Sequence, residues 1–561
     1  MINYLCQNFI SNNMKTKLSL CGIALVGLTA CQQTKTNTVA PEVFGSANPY
    51  MPVWEFIPDG EPYVFEDPDQ PGKYRVYVYG SHDDLVTAYC GRDQVVWSAP
   101  VEDLNDWRFD GTIFELKQDA EGNNIFDGII GDVLYAPDIA EKIEDGKKVY
   151  YFYPNVQGER SNVVCKSDRP DGPFKVCNWD TSNPRLAVGP FGFDPAAFVD
   201  DDGRAYGYWG FERSYAAELD PTTMATVKPG ATIIEDMIPG RYQDGVERFF
   251  EASSIRKIKD KYVFVYSRWT QDGEEGLPET NYTLAYCYSN NPLGPWTYGG
   301  TIIDGRGRKK LADGTTIATA CPGGNTHGSI CEINGQWYVF YHRQAGTSEY
   351  SRQAMVAPIT VDVTEGPEGT VKISEGEYTS EGFNLNGLDP LKRYPAGIAC
   401  YYVGPKPAVQ DYPNVNYNGP HTEIHRLGDI SELDNKSAFD VSINKCPIVD
   451  TFNGSTVGYK YFNLDKLQGK KSIIFHLNMT VELLNSSIEI YLDQPTEEEG
   501  GTKIGCLDFI QEDLLGQTLD VTTSFNELAN YSGKHALYFV FKSETEGKSI
   551  ATLHDFYFVA E

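Results

Sequence analysis

One pattern of polar and apolar positions recurs along the first two thirds of the chain. A polar turn built on Gly or Asp is followed by a short strand of alternating aromatic and β-branched residues. It occurs at Gly72-Lys-Tyr-Arg-Val-Tyr-Val-Tyr-Gly80, Gly146-Lys-Lys-Val-Tyr-Tyr-Phe-Tyr153, Gly203-Arg-Ala-Tyr-Gly-Tyr-Trp209, Asp260-Lys-Tyr-Val-Phe-Val-Tyr266 and Gly335-Gln-Trp-Tyr-Val-Phe-Tyr341. The starting residues lie 74, 57, 57 and 75 positions apart. Each interval has room for about four short strands. Ser167-Asp-Arg-Pro-Asp-Gly-Pro-Phe174 and Ser289-Asn-Asn-Pro-Leu-Gly-Pro-Trp296 share a second element, a Pro/Gly turn with a closing aromatic; Ser98-Ala-Pro100 with Trp107 is a degraded copy. Pro and Gly set the turn, and the aromatic fills the wedge between sheets. Five evenly spaced strand groups predict an all-β protein whose residues 48–363 form a five-bladed β-propeller. A β-sandwich or β-helix is the structural alternative.

Beyond this region the punctuation changes. Glu365-Gly-Pro-Glu-Gly369 and the polar stretch after it predict a linker or wrapping segment over 364–384. Period-two alternation then resumes at Ser472-Ile-Ile-Phe-His-Leu-Asn478, Ser487-Ile-Glu-Ile-Tyr-Leu492, His535-Ala-Leu-Tyr-Phe-Val-Phe541 and Leu553-His-Asp-Phe-Tyr-Phe558. Residues 385–561 therefore read as a separate β-sandwich.

At 561 residues the chain exceeds what one hydrophobic core holds, which fits two domains. Its aromatic content of 13% suits tyrosine-rich strands. A formal charge of −31 argues against nucleic acid and anionic-membrane partners, since phosphates would be repelled. The N-terminus carries another kind of signal. A basic Met14-Lys15-Thr16-Lys17 precedes an apolar run from Leu18 to Leu28 and the sequence Leu28-Thr29-Ala30-Cys31. That run is short for a membrane span and ends in small residues, as an export signal does. Residues 1–31 are thus a lipoprotein-type leader similar to a bacterial lipobox, and 32–47 a flexible tether. Outside the leader, nine cysteines are scattered without CxxC spacing, so zinc is not expected and most should be small buried apolar residues.

The candidate chemistry lies in carboxylates at the starts of repeat units. Asp59-Gly-Glu61-Pro62 opens the first, Gly192-Phe193-Asp194-Pro195 the third, and Phe249-Phe250-Glu251-Ala252 the fourth. Each alone is a plausible turn or cap residue. Their equivalent placement favours a shared site, because acidic residues at a propeller axis are costly unless they serve one. Paired carboxyl groups suit glycoside hydrolysis, in which one protonates the leaving oxygen and another activates water. A non-catalytic glycan-binding propeller is the competing class.

These motifs, with Asn48-Pro49-Tyr50-Met51-Pro52 and Tyr135-Ala136-Pro137-Asp138, resemble glycoside hydrolase family 43 over about Asn48 to Val363. The resemblance implies an inverting enzyme that releases terminal or side-chain sugars from an oligo- or polysaccharide. α-L-Arabinofuranosyl residues lead, ahead of galactofuranosides and β-xylosides. It implies Glu251 as general acid, although Ala252-Ser253 stands where the family has Gly-Pro. Asp194 is the carboxylate that raises the acid's pKa, and Asp59 the general base, roughly 6.5–9.5 Å from the acid. Alignment on Pro62 would choose Glu61 as base instead; otherwise Glu61 binds substrate. Asp138, His327 and Arg352 are further candidate substrate-binding residues, with His342 and Arg343 peripheral. No cofactor is needed for the chemistry, but the resemblance allows a structural calcium with weak or water-mediated contact to His327. The C-terminal part resembles a family 6 carbohydrate-binding module, a jelly-roll sandwich, on Ile488-Glu-Ile-Tyr-Leu-Asp493, Gly505-Cys-Leu-Asp508 and Leu537-Tyr-Phe-Val-Phe-Lys542. It has no Trp, which leaves a structural role at least as strong as a binding one.

The expected protein is therefore a monomer anchored by lipid in a bacterial cell envelope. Mass spectrometry of the membrane fraction should find diacylglycerol on Cys31 and no residues before it. Cys31→Ala should move the protein to the soluble fraction; a soluble product that keeps its leader would contradict this.

Overall fold

The computed structural model of the protein describes residues 40–115, 133–156, 162–428 and 430–561. The leader and most of the predicted tether lie outside the described residues. Those described form strands joined by turns and short 3₁₀ segments, an all-β fold.

Five antiparallel sheets follow one another along the chain, and within each the strands lie in sequence order. The first holds Glu61–Glu66, Tyr74–Tyr79, Asp93–Pro100 and Arg108–Glu115. The second begins with Leu134–Glu144 and Lys147–Val156, the third with Ala196–Val199 and Ala205–Gly210. The fourth begins with Phe249–Ile258 and Lys261–Arg268, and the fifth with Ser329–Ile333 and Gln336–Gln344. All five aromatic repeats fall on the second strand of a sheet, where both faces are covered and large rings fill the space. Each first strand touches the next one in the series, and the fifth touches the first, so the sheets close into a ring.

Packing follows the same circle. Separate apolar clusters lie between the first and second sheets (Tyr79, Phe152), the second and third (Tyr153, Trp209), and the third and fourth (Tyr208, Phe264). Tyr50, Trp97 and Phe340 occupy the wedge between the first and fifth sheets. Phe174, which closes the Pro/Gly turn of the second sheet, is buried with its ring 5.0 Å from Phe152.

The fifth sheet has three strands, and its Arg352–Ile359 edge would be open. The chain's own N-terminal segment covers it. The Asn48 side chain accepts from Val356 N (3.1 Å) and donates to Val356 O (2.9 Å), as a paired strand would, and Tyr50 N donates to Ala354 O. This corrects the tether reading for residues 40–47. Phe44 and Ala47 are buried, and the amides of Phe44 and Gly45 donate to Phe439 O and Arg393 O. The segment is polar on average but carries one large apolar anchor. Residues 364–384 are likewise packed: Val361–Val363 pairs with Val371–Ile373, and Phe383 is buried against Tyr50 and Phe340.

The C-terminal residues build two further sheets. One contains Ile473–Val481 and Ala551–Ala560; the other contains Thr456–Asn463, Ser486–Leu492 and Lys534–Ser543. Phe475 and Phe556 of the first sheet meet Phe539 of the second at 5.9 and 6.1 Å between ring centres. Seven of the nine described cysteines are buried, and none of the nine is joined in a disulfide.

Arg343, taken from sequence as peripheral, joins the two parts. Fully buried on the fifth sheet, it donates to Ala399 O (2.8 Å), Tyr402 Oη (3.1 Å), Gly397 O and Gln353 Oε1. Arg343→Leu should leave buried Gly397 O and Gln353 Oε1 without their arginine donor, while Ala399 O keeps Tyr402 Oη, and destabilise the fold by about 2–4 kcal/mol. A thermal melt should show the loss; an unchanged melting temperature would refute the bracing role.

Candidate active site

The ring brings one polar residue from the start of each sheet to its centre. Asp59 precedes the first strand of the first sheet, and Asp138 lies in that of the second. Asp194 precedes that of the third, Glu251 lies in that of the fourth, and His327 precedes that of the fifth. All five are buried.

Asp59 and Glu61 do not share a face, as an extended segment would require. Asp59 stands at φ 61°, in left-handed conformation, which turns the two side chains apart. The Asp59 carboxylate accepts from Arg352 Nη1 at 3.0 Å and from Ser81 Oγ. Its backbone N–H donates to His342 Nδ1 at 3.2 Å, and His342 Nε2 faces Asn325 O at 2.8 Å. Burial pushes the His342 pKa down to about 3, which keeps the ring neutral and fits a proton on Nε2. Burial also works to raise the pKa of Asp59, but the Arg352 charge, the nearby histidines and the Ser81 hydrogen bond outweigh it and hold the carboxyl below its ordinary range.

Arg352 is thus placed behind Asp59 rather than in open space. Its Nε and Nη2 grip both oxygens of buried Asp83 at 2.9 and 2.8 Å while Nη1 reaches Asp59. The sequence reading missed Asp83; the Ser81-His-Asp-Asp84 turn was its only signal.

Glu61 turns toward the floor of the site. Arg256 Nη2 donates to it at 2.9 Å and Ser254 Oγ at 3.2 Å. Arg256 also donates to Tyr63 Oη at 3.0 Å, and Tyr63 donates to Asp138 Oδ1 at 2.8 Å. The second oxygen of Asp138 accepts from Ala197 N at 2.8 Å, so both are taken within the protein. Burial and the neighbouring Glu61 push the Asp138 pKa up to about 7.

Asp194 and Glu251 are coupled through backbone. Asp194 accepts from Asn155 Nδ2 at 2.8 Å and from Ala252 N at 2.9 Å. Ala252 stands at φ 68°, where a glycine would be unstrained, and the strand's pairing shifts register on both sides of Glu251. This bulge re-aims the Glu251 side chain and places its neighbour's amide on Asp194. Asn155, at the end of the second aromatic strand, went unseen in the sequence. Burial first, then the charge of Asp194, holds the Glu251 carboxyl well above its usual range.

His327 lies between two carboxylates, Nδ1 3.4 Å from Asp194 and Nε2 3.8 Å from Glu61. Burial opposes its charge, but these partners raise its pKa well above the ordinary value. The ring thus sits between Asp194 and Glu61. Among the described residues no group of three or more His, Cys, Asp or Glu side chains could hold an ion.

An open cleft of about 440 Å³ reaches Glu251. One wall carries Phe250 and Trp269, the other Tyr89, Glu349 and Tyr412. A larger hollow of about 840 Å³, beside Trp107 and Phe439, reaches none of these carboxylates.

Comparison with known proteins agrees with this chemistry. The sequence profile of glycosyl hydrolases family 43 matches residues 64–365. A protein described as a xylosidase/arabinosidase from Thermoclostridium stercorarium is 32% identical over 441 residues, 76% of this chain and 84% of its own length. An arabinoxylan arabinofuranohydrolase from Paenibacillus polymyxa is 25% identical over 533 residues, 91% of this chain and 74% of its own. The crystal structure of a family 43 arabinoxylan arabinofuranohydrolase from Bacillus subtilis in complex with cellotetraose aligns at 19% identity over 91% of this chain and 96% of its own, with a TM-score of 0.41.

Asp194→Asn removes the charge that disfavours ionised Glu251, so the Glu251 pKa should fall. Carboxyl ¹³C NMR of glutamate-labelled protein should show its titration at lower pH; an unmoved titration would remove Asp194 as the cause.

Proposed function

The chain belongs to glycosyl hydrolases family 43, and from that premise we propose that it releases α-L-arabinofuranosyl residues from the ends or side chains of a plant or microbial polysaccharide, with inversion. It is a glycoside hydrolase; the sugar, the stereochemistry and the role of each residue are our reading. One observation carries it: two buried carboxyl groups at the ring centre are pushed in opposite directions, Glu251 up and Asp59 down. An inverting hydrolase needs that division between acid and base.

In this reading Glu251 passes its proton to the glycosidic oxygen as the bond from the anomeric carbon breaks. Asp59 takes a proton from water as that water's oxygen bonds to the same carbon from the opposite face. Asp194 keeps Glu251 protonated and Arg352 keeps Asp59 ionised. Glu61 and Asp138, tied into the Arg256–Tyr63 chain, support the floor beneath the sugar. No step passes through a metal. β-Xyloside cleavage is the second reading, supported by relatives whose names pair xylosidase with arabinosidase.

We read the five sheets as the blades of a propeller and the two C-terminal sheets as a jelly-roll sandwich resembling a family 6 carbohydrate-binding module. We propose a lipid anchor at Cys31 and an envelope location on the strength of the leader sequence alone.

Glu251→Gln should lower kcat roughly 10²–10⁴-fold, with a smaller loss for substrates whose leaving groups need little protonation. Asp59→Ala should abolish turnover and regain part of it with azide, giving a glycosyl azide of inverted configuration. Rescue only at Glu61→Ala would reassign the base, and a retained product would overturn the inverting mechanism.

A further inference from the structure

We propose that the hairpin formed by Val409–Asp411 and Asn414–Asn416 is one wall of the catalytic cleft, and that Tyr412 at its tip selects the sugars on the leaving-group side. The proposal rests on the assignment of Glu251 as general acid and adds to it a specificity element from outside the ring of five sheets.

The hairpin is seated, not merely adjacent. Ser348 and Asn414 form an antiparallel bridge, Glu349 N donates to Pro413 O (3.0 Å), and Val415 N donates to Thr347 O (2.9 Å). These bonds pair the hairpin with the loop leading into the Arg352 strand. Its other side meets the loop before His327: a Cβ at Gly323 would come within 2.0 Å of Gln410 Oε1, so glycine is what lets Gln410 lie there. Gln410 Nε2 then donates to Glu349, whose other oxygen accepts from Tyr89 Oη. Tyr89 in turn lies against the Arg352 guanidinium, 5.0 Å from its ring centre. The hairpin is thus tied by two hydrogen bonds and one cation–π contact to the arginine that holds Asp59.

The geometry also assigns a side. The cleft lining includes Glu251 but neither Asp59 nor Asp194. An acid faces the group that leaves, so the open space before Glu251 is where the departing sugars lie, with the cleaved ring deeper. The hairpin wall presents Tyr412, 65% exposed, with its ring 6.5 Å from Tyr89 and 29° from parallel. The opposite wall presents Trp269, packed 4.8 Å from Phe250 and covered by the Arg241 guanidinium at 3.6 Å. Two aromatic walls with Glu349 and Gln410 between them suit a pyranose main chain, whose C–H faces meet rings while its hydroxyls meet carboxylate and amide. A small aryl leaving group would use this slot far less.

The test compares 4-nitrophenyl α-L-arabinofuranoside with a xylotriose bearing one arabinofuranosyl side chain. For Tyr412→Ala, the ratio of kcat/KM on the oligosaccharide to kcat/KM on the aryl glycoside should fall about tenfold, mostly through KM, since one aromatic contact is lost. Tyr412→Phe keeps the ring and should restore the ratio. Equal losses on both substrates, or no change in the ratio, would overturn the proposal. Calorimetry with unbranched xylotriose separates it from the catalytic reading: if wild-type protein binds the trisaccharide and Tyr412→Ala weakens binding, the wall stands even where neither glycoside is hydrolysed. Binding unaffected by Tyr412→Ala would sink the wall while leaving the acid and base untouched.

Discussion

Two buried carboxyl groups whose pKa values are pushed in opposite directions are the constraint on which the rest of this structure depends. Neither shift comes from the carboxyl group itself. Burial raises the pKa of both, because a desolvated carboxylate is unfavourable. Asp59 escapes that outcome chiefly because a guanidinium, itself locked in a bidentate grip by Asp83, lies 3.0 Å away, with the histidines and Ser81 adding to it. Glu251 has Asp194 as its first charged neighbour and moves the other way. The difference between Glu251 and Asp59 is therefore a difference in neighbours, and those neighbours come from other sheets.

A ring of antiparallel sheets suits that requirement. Each first strand starts at the centre, so five sequence-distant segments deliver their opening side chains to one place while the aromatic second strands pack the wedges around them. The cost is a polar axis in the middle of an apolar fold. It is met by a hydrogen-bonded chain from Asp138 through Tyr63 and Arg256 to Glu61, and by charge alone across His327, whose Nε2 lies 3.8 Å from Glu61 and Nδ1 3.4 Å from Asp194. A half-satisfied network here would be worse than an apolar plug. The charged His327 closes the gap between two carboxylates that would otherwise repel.

Much of this was legible in the sequence where a period or a turn carried it. The five aromatic strands declare themselves by alternation, and the carboxylates by recurring at the starts of repeats. What escaped was set by distance along the chain and by local backbone. Asp83 and Asn155 touch the site through partners 269 and 39 residues away, and no short motif records such pairs. The divergence of Asp59 from Glu61 comes from one residue at φ 61°, which a period-two reading treats as extended. Phe44 was hidden in a polar stretch because a single large ring does not alter an average. Arg343 looked like a strand-end charge, whereas its partners are carbonyls more than fifty residues downstream.

These long-range ties also alter how the two parts of the chain should be understood. A binding module on a spacer would contact its enzyme weakly and leave the catalytic cleft alone. Here Arg343 is buried against carbonyls at 397 and 399, and Phe44 packs against the segment around Arg393. Backbone pairing joins residues 347–349 to 413–415 beside the cleft. The C-terminal sheets thus brace the fifth sheet, and that sheet carries His342 and Arg352, the residues that position and charge Asp59. Mechanical support and the charge beside Asp59 run through the same strand pair, so loosening the junction should be felt at Asp59 through Arg352 and His342.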